Sequence, residues 1–211
     1  MIYCDIHTHQ PPANPEDIAI IALDIRHPCA LPSGHYAVGI HPWHADKDAL
    51  PLLRTLAAHP NVVAIGEAGL DKCAATSRSL QEEVFTAQVH LAGDTGKPLI
   101  IHCVKAWPEL MAIRKTTRSV IPWIIHGFRG NGKLAEQLLR AGFYLSFGLH
   151  YSPEALRRAW EANRLFAETD DKNADIREVY ASLAAQLAIP EETLAQEIKN
   201  NARTIFASLH F

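Results

Sequence analysis

The 211-residue chain has no CxxC pair among its four cysteines, Cys4, Cys29, Cys73 and Cys103. That scatter excludes a disulfide framework or a zinc-ribbon spacing and predicts reduced thiols in the cytoplasm. No apolar run approaches the roughly 20 residues that cross a bilayer, so no membrane span is expected. The first residues lack a charged segment followed by a long apolar run, so no secretory leader is expected either. Twenty Lys and Arg stand against 23 Asp and Glu, a net charge of -3, and no global field draws the chain to nucleic acid or an anionic membrane. Any anionic substrate must be bound locally. Aromatic and basic residues are not interleaved as in proteins that track along single strands. There is no low-complexity linker, and the only repeat is an alternation of apolar segments, so residues 1–211 read as one domain. What is abundant is apolar residues, 48% of the chain, enough for one sizeable core, and histidine, of which there are 12.

Eight short apolar runs read as strands: 2–9, 18–25, 35–43, 62–69, 98–103, 122–128, 143–148 and 164–170. From the third onward, stretches of helical period separate them, such as "SLQEEVFTAQVHLAGDTG" and "NGKLAEQLLRAG". Ser152 before Pro153 reads as a helix start, Gly96 and Gly142 as helix stops, and Pro190 as a break between two final helices. Near-continuous apolar strands alternating with helices predict an α/β fold, a TIM-like (β/α)8 barrel. The links "QPPANPEDI" and "RHPCALPSG" are proline-rich and too short for a helix, so the outer helices after the first two strands are expected to be shortened or absent. The C-terminal helices, loops or a second subunit must then cover those strands, and the chain is expected to be a monomer or a homodimer.

In such a barrel the functional residues lie at the carboxyl ends of the strands. In "DIHTH", residues 5, 7 and 9 share a strand face, so strand one ends in His7 and His9; later strands end in His41, Glu67, His102, His126 and Asp170. A single His-x-His is commonly structural, but structural accidents would scatter over both ends of the strands. Imidazoles and carboxylates together suit a divalent transition metal, and six of them suit a pair of ions sharing a carboxylate better than one open zinc. Asp5 is expected to orient a ligating histidine from behind. His27, His35, His59, His90, His150 and His210 fall in predicted loops, helices or the tail and read as solvated, whereas Cys103, adjacent to His102, reads as core.

The ordered set "DIHTH", "VGIHPW", "VAIGEAGLD", "PLIIHC", "IIHGFRGN", "GFYLSFG", "FAETD" and "NARTIF" resembles the TatD family of metal-dependent hydrolases within the amidohydrolase superfamily. The resemblance implies a TIM-like barrel binding one or two divalent metals, Zn, Mn or Mg, and phosphodiester hydrolysis as a deoxyribonuclease using metal-activated water. It makes His7, His9 and Asp170 ligands of one metal, Glu67 a ligand reaching both, and His102 and His126 ligands of the second. Asp170 and Glu67 are the catalytic carboxylates, with Asp170 taking the proton of water. Lys105 stands in place of the family's usual arginine, keeping a cation without its bidentate fork. "ETDDKN" lacks the family's proline after the aspartate, and Arg129 replaces a small residue. Lys105, Arg129 and His41 are expected to contact substrate, DNA ends or short oligonucleotides. The alternatives are an amide or ester hydrolase of the same superfamily, which needs the same ligands, and a metal-binding protein without turnover.

Overall fold

The computed structural model describes residues 1–26, 31, 33–172, 174–206 and 209; His27, Cys29 and His210 lie outside them. All eight predicted strands form: β1 (Cys4–Thr8), β2 (Ile18–Asp24), β3 (His35–Gly39), β4 (Val62–Asp71), β5 (Leu99–Val104), β6 (Trp123–Ile125), β7 (Phe143–Phe147) and β8 (Leu165–Ala167). They are hydrogen-bonded in chain order, β1 to β8, as in a (β/α)8 barrel. The helices are α1 (Leu50–Ala57), α2 (Arg78–Thr95), α3 (Trp107–Thr117), α4 (Gly132–Arg140), α5 (Pro153–Glu161), α6 (Ile176–Leu187) and α7 (Glu191–Ile205). Among the described residues no helix follows β1, as its proline-rich link predicts, and none is long and apolar enough to cross a membrane; residues 27–30 and 32 of the link after β2 lie outside the described residues. Helix ends also follow the sequence signals. Ser152 caps α5 through Ala155 N–H, α2 stops at Gly96 in the left-handed conformation (φ 67°), and α6 and α7 part at Pro190.

The chain packs as two compact units, Met1–Ile21 with Ile124–Phe211, and Ala22–Trp123; the division passes through β2 and β6. In the first unit β7 pairs with β8 in parallel, and an isolated bridge joins Thr8 to Asp170, three residues past β8. The face of β1 that lacks a following helix is covered by α6 and α7. Fully buried Tyr180 on α6 donates its hydroxyl to Cys4 O (3.0 Å) and accepts Cys4 N–H (3.1 Å). Tyr3 donates its hydroxyl to Glu191 on α7, and its ring meets Tyr180 edge-on at 4.8 Å. Arg177 stacks over that ring at 4.9 Å and pairs with Asp17 at 2.8 Å. The hydrogen bond to Glu191, with burial, pushes the Tyr3 hydroxyl pKa up to about 12.

In the second unit β3, β4 and β5 run parallel, with Tyr36 opposite Val62 and Gly69 opposite His102. Two glutamines on one face of α2 satisfy strand ends that carry site residues. Gln88 bonds both Ile40 N–H (2.7 Å) and Ile40 O (3.1 Å), and Gln81 does the same for Asp71 (2.8 and 3.0 Å). At Gly69 (φ 152°) a Cβ would lie 1.9 Å from His102 O, so only glycine lets β4 and β5 approach beside His102.

Candidate metal centre

In the first unit, alternation along β1 turns His7 and His9 to the same face. Asp170 is fixed against them by backbone bonds on both of its sides: its N–H donates to His7 O (3.0 Å) and its O accepts His9 N–H (3.2 Å). It sits in the left-handed region (φ 58°), which Asp tolerates better than most residues. Its Oδ1 lies 3.5 Å from His7 Nε2 and 3.8 Å from His9 Nε2, a group that can hold one metal ion. His126 joins from the end of β6. Its ring lies 4.2 Å from that of His7, and His126, Glu168 and Asp170 form a second possible ligand group.

Glu168 is fully buried; Oε1 accepts Gly127 N–H and lies 3.6 Å from His126 Nδ1, while Oε2 has no hydrogen-bond partner among the described residues. A buried carboxylate oxygen without a donor is costly, and a divalent cation against it removes the cost, so this donor set fits a metal.

Asp5 reaches the site by a route other than the expected contact with an imidazole. Its carboxylate accepts Thr169 N–H (3.2 Å), Thr169 Oγ1–H (2.6 Å) and the backbone N–H of His7 (3.4 Å). It thus positions the backbone between Glu168 and Asp170. Burial drives its pKa up to about 7 despite the hydrogen bonds from Thr169.

The second unit gathers His41, Glu67 and His102, whose candidate ligand atoms lie within 4.8 Å of one another. Asp71, which the sequence reading passed over, organises them. Buried to 3% exposure, it accepts Trp43 Nε1–H (2.6 Å) and Cys73 N–H (2.7 Å) and lies 3.1 Å from His102 Nε2. Burial opposes its ionisation, but hydrogen bonds from Trp43, Cys73 and His102 outweigh burial and hold its carboxyl below the usual range. His102 therefore lies between two carboxylates, with Nε2 3.1 Å from Asp71 Oδ2 and Nδ1 2.8 Å from Glu67 Oε1. A proton on Nε2, toward Asp71, leaves Nδ1 and Glu67 Oε1 both able to ligate, and this pair too fits a divalent metal.

His41 is disposed differently. Its Nδ1 accepts Trp43 N–H (3.1 Å), which puts its proton on Nε2, 3.2 Å from Glu67 Oε1. It therefore donates to Glu67, and its lone pair is already used. Lys105 and Arg129 are both exposed and make no ion pair among the described residues. Arg129 lines a cleft with Gly148, Glu168, Asp170 and Lys172. Cys103 is partly exposed as a residue, yet burial drives its thiol pKa up to about 12. His44, His90 and His150 are exposed.

The sequence holds the signals for Asp71 and Glu168. Glu67, Gly69 and Asp71 share a face of β4 by alternation, and Glu168 and Asp170 have the same two-residue spacing as His7 and His9.

The fold is shared with solved structures. The TatD homolog YjjV from Escherichia coli K12 superimposes with a TM-score of 0.81 over 97% of this chain and 98% of its own, at 21% identity. A TatD family hydrolase from Entamoeba histolytica gives 0.75 over 98% of each chain, at 17% identity. In sequence, the chain is 34% identical to the Bacillus subtilis metal-dependent hydrolase YabD over 64% of its own length and 57% of the relative's. To the 3'-5' ssDNA/RNA exonuclease TatD of Enterobacter lignolyticus it is 30% identical, over 80% and 76%. Thus it spans somewhat over half to three quarters of these relatives. Residues 26–207 match the family described as TatD related DNase, a span holding every site residue above except Asp5, His7 and His9, and the chain belongs to that family.

Proposed function

We propose that the protein is a metal-dependent phosphodiesterase that removes nucleotides from DNA or RNA ends, with one or two divalent ions (Zn, Mn or Mg) held by His7, His9, Asp170, Glu67, His102 and His126. The observation that carries this reading is Asp170, pinned by its backbone to both His7 and His9 and presenting Oδ1 to both rings. Relatives named 3'-5' ssDNA/RNA exonucleases support the substrate class. A divalent ion bound there supplies positive charge for the phosphoryl oxygens and acidifies a water.

The chain's own groups do the rest. Asp170, partly exposed, takes the proton from the attacking water, and its fixed backbone keeps Oδ1 in reach. His7, buried and set by β1, cannot swing away when substrate enters. His102 is held by Asp71, and His41 steadies Glu67. Lys105 and Arg129, exposed and without acidic partners among the described residues, take the non-bridging phosphate oxygens. The protein acts in the cytoplasm as a monomer or homodimer, in keeping with the free cysteines Cys4, Cys73 and Cys103.

The test is cleavage of a labelled single-stranded DNA by metal-stripped protein to which Mn2+, Mg2+ or Zn2+ is restored, with Asp170→Asn alongside. Asn tolerates the same left-handed backbone, so the variant should fold and lose turnover by about 100-fold or more. Near-normal turnover in that variant would remove Asp170 from its role. Metal uptake without cleavage by the wild-type protein would sink the phosphodiesterase reading.

A further inference from the structure

We infer that the indole of Trp43 is a stacking platform for one nucleobase, that of the terminal nucleotide being removed; this rests on the nuclease reading above. Trp43 is 56% exposed, and no other tryptophan among the described residues is exposed. Single apolar residues on a surface are ordinary. This one is held in place from three directions. Its Nε1–H donates to buried Asp71, its backbone N–H donates to His41 Nδ1, and the preceding Pro42 O accepts Thr76 Oγ1–H at 2.6 Å. Its ring meets His41 edge-on at 4.9 Å and His102 at 6.1 Å, so the exposed indole stands beside the imidazole and carboxylate cluster of its unit.

A rigid, water-facing aromatic at a hydrolytic site has little to contribute to the core, and every base has a π-face to lay on it. The single polar atom of the indole is already used by Asp71, leaving it no donor to read a base edge. The platform therefore accepts any base, with purines favoured only by their larger stacking area. One aromatic grips one base, which explains how a chain of net charge -3 engages a strand end without a basic track along the strand.

The test compares a short single-stranded DNA with the same oligomer carrying an abasic 3' nucleotide, using the Mn2+-loaded full chain and the variants Trp43→Ala and Trp43→Phe. Anisotropy binding of both oligomers without metal runs in parallel. Both variants lose the Nε1–H bond to Asp71, so the platform is read from their difference: KM of Trp43→Ala for the ordinary oligomer should exceed that of Trp43→Phe about 5- to 150-fold. On the abasic oligomer Trp43→Ala and Trp43→Phe should behave alike. Equal losses on both oligomers would mean that Trp43 merely buttresses Asp71 and His102, and the platform falls. If the wild-type protein cleaves neither, binding still decides. A preference for the ordinary oligomer that Trp43→Ala erases keeps the platform and removes the nuclease reading. Absence of any such preference overturns the platform.

Discussion

Replacing Asp71 with Asn preserves the shape of the side chain and removes one of its two acceptor oxygens. In the wild-type protein Oδ2 faces Trp43 Nε1–H at 2.6 Å and His102 Nε2 at 3.1 Å, while Oδ1 faces Cys73 N–H at 2.7 Å. An amide has one oxygen. In its less costly orientation the oxygen keeps Trp43 and His102, and the NH2 group meets Cys73 N–H, donor against donor. A donor left without an acceptor in a site this buried costs about 1–3 kcal/mol. For a chain of this size that corresponds to a fall in Tm of about 2–12 °C. The hydrogen bond between position 71 and His102 Nε2 also weakens, because its acceptor is no longer charged. Loss of such a carboxylate behind a ligating histidine lowers metal affinity about 10- to 100-fold. Thermal unfolding in chelator reads the first effect, and calorimetric titration of the stripped protein with Zn2+ or Mn2+ reads the second. A variant that melts with the wild type in chelator and binds metal equally well would refute the place of Asp71 in this network.

Tyr180→Phe should cost about 1–3 kcal/mol, since the N–H and O of Cys4 both lose their bond to the one Tyr180 hydroxyl; urea denaturation should show a lower midpoint at unchanged m-value. Alkylation of the native protein should reach exposed Cys73 well before Cys4 and Cys103, whose thiol pKa values burial raises to about 12. At pH 8 only about one in 10,000 of those two thiols is thiolate, and the fraction rises tenfold per pH unit up to that value. Mass spectrometry of the labelled peptides checks the order, and early labelling of Cys4 would contradict it.

The barrel and much of the candidate centre are legible in the sequence because both follow short-range rules. A two-residue period brings His7 and His9 together, and the apolar strand runs separated by helical stretches are visible without any knowledge of contacts. That no helix follows β1 among the described residues is legible for the same reason, since the link is too short and too rich in proline. Asp71 and Glu168 obey the two-residue rule as well, but each sits beside a more conspicuous residue and neither has an imidazole in its own motif. Other features depend on pairings that no local pattern records. Asp5 and its partner Thr169 are 164 residues apart, so the role of Asp5 becomes visible only in the folded chain. Trp43 is similar: only its bond to Asp71, 28 residues away, separates a fixed ring from an ordinary surface tryptophan.

The backbone pairing of Asp170 with His7 and His9 has a consequence for biosynthesis. Synthesis runs from the N-terminus to the C-terminus, so the two histidines are made more than 160 residues before the aspartate that completes their cluster. Nascent chains and fragments truncated before residue 170 hold an incomplete ligand set and should be inert. The cluster therefore cannot assemble during synthesis before β8 and the residues just after it have been made.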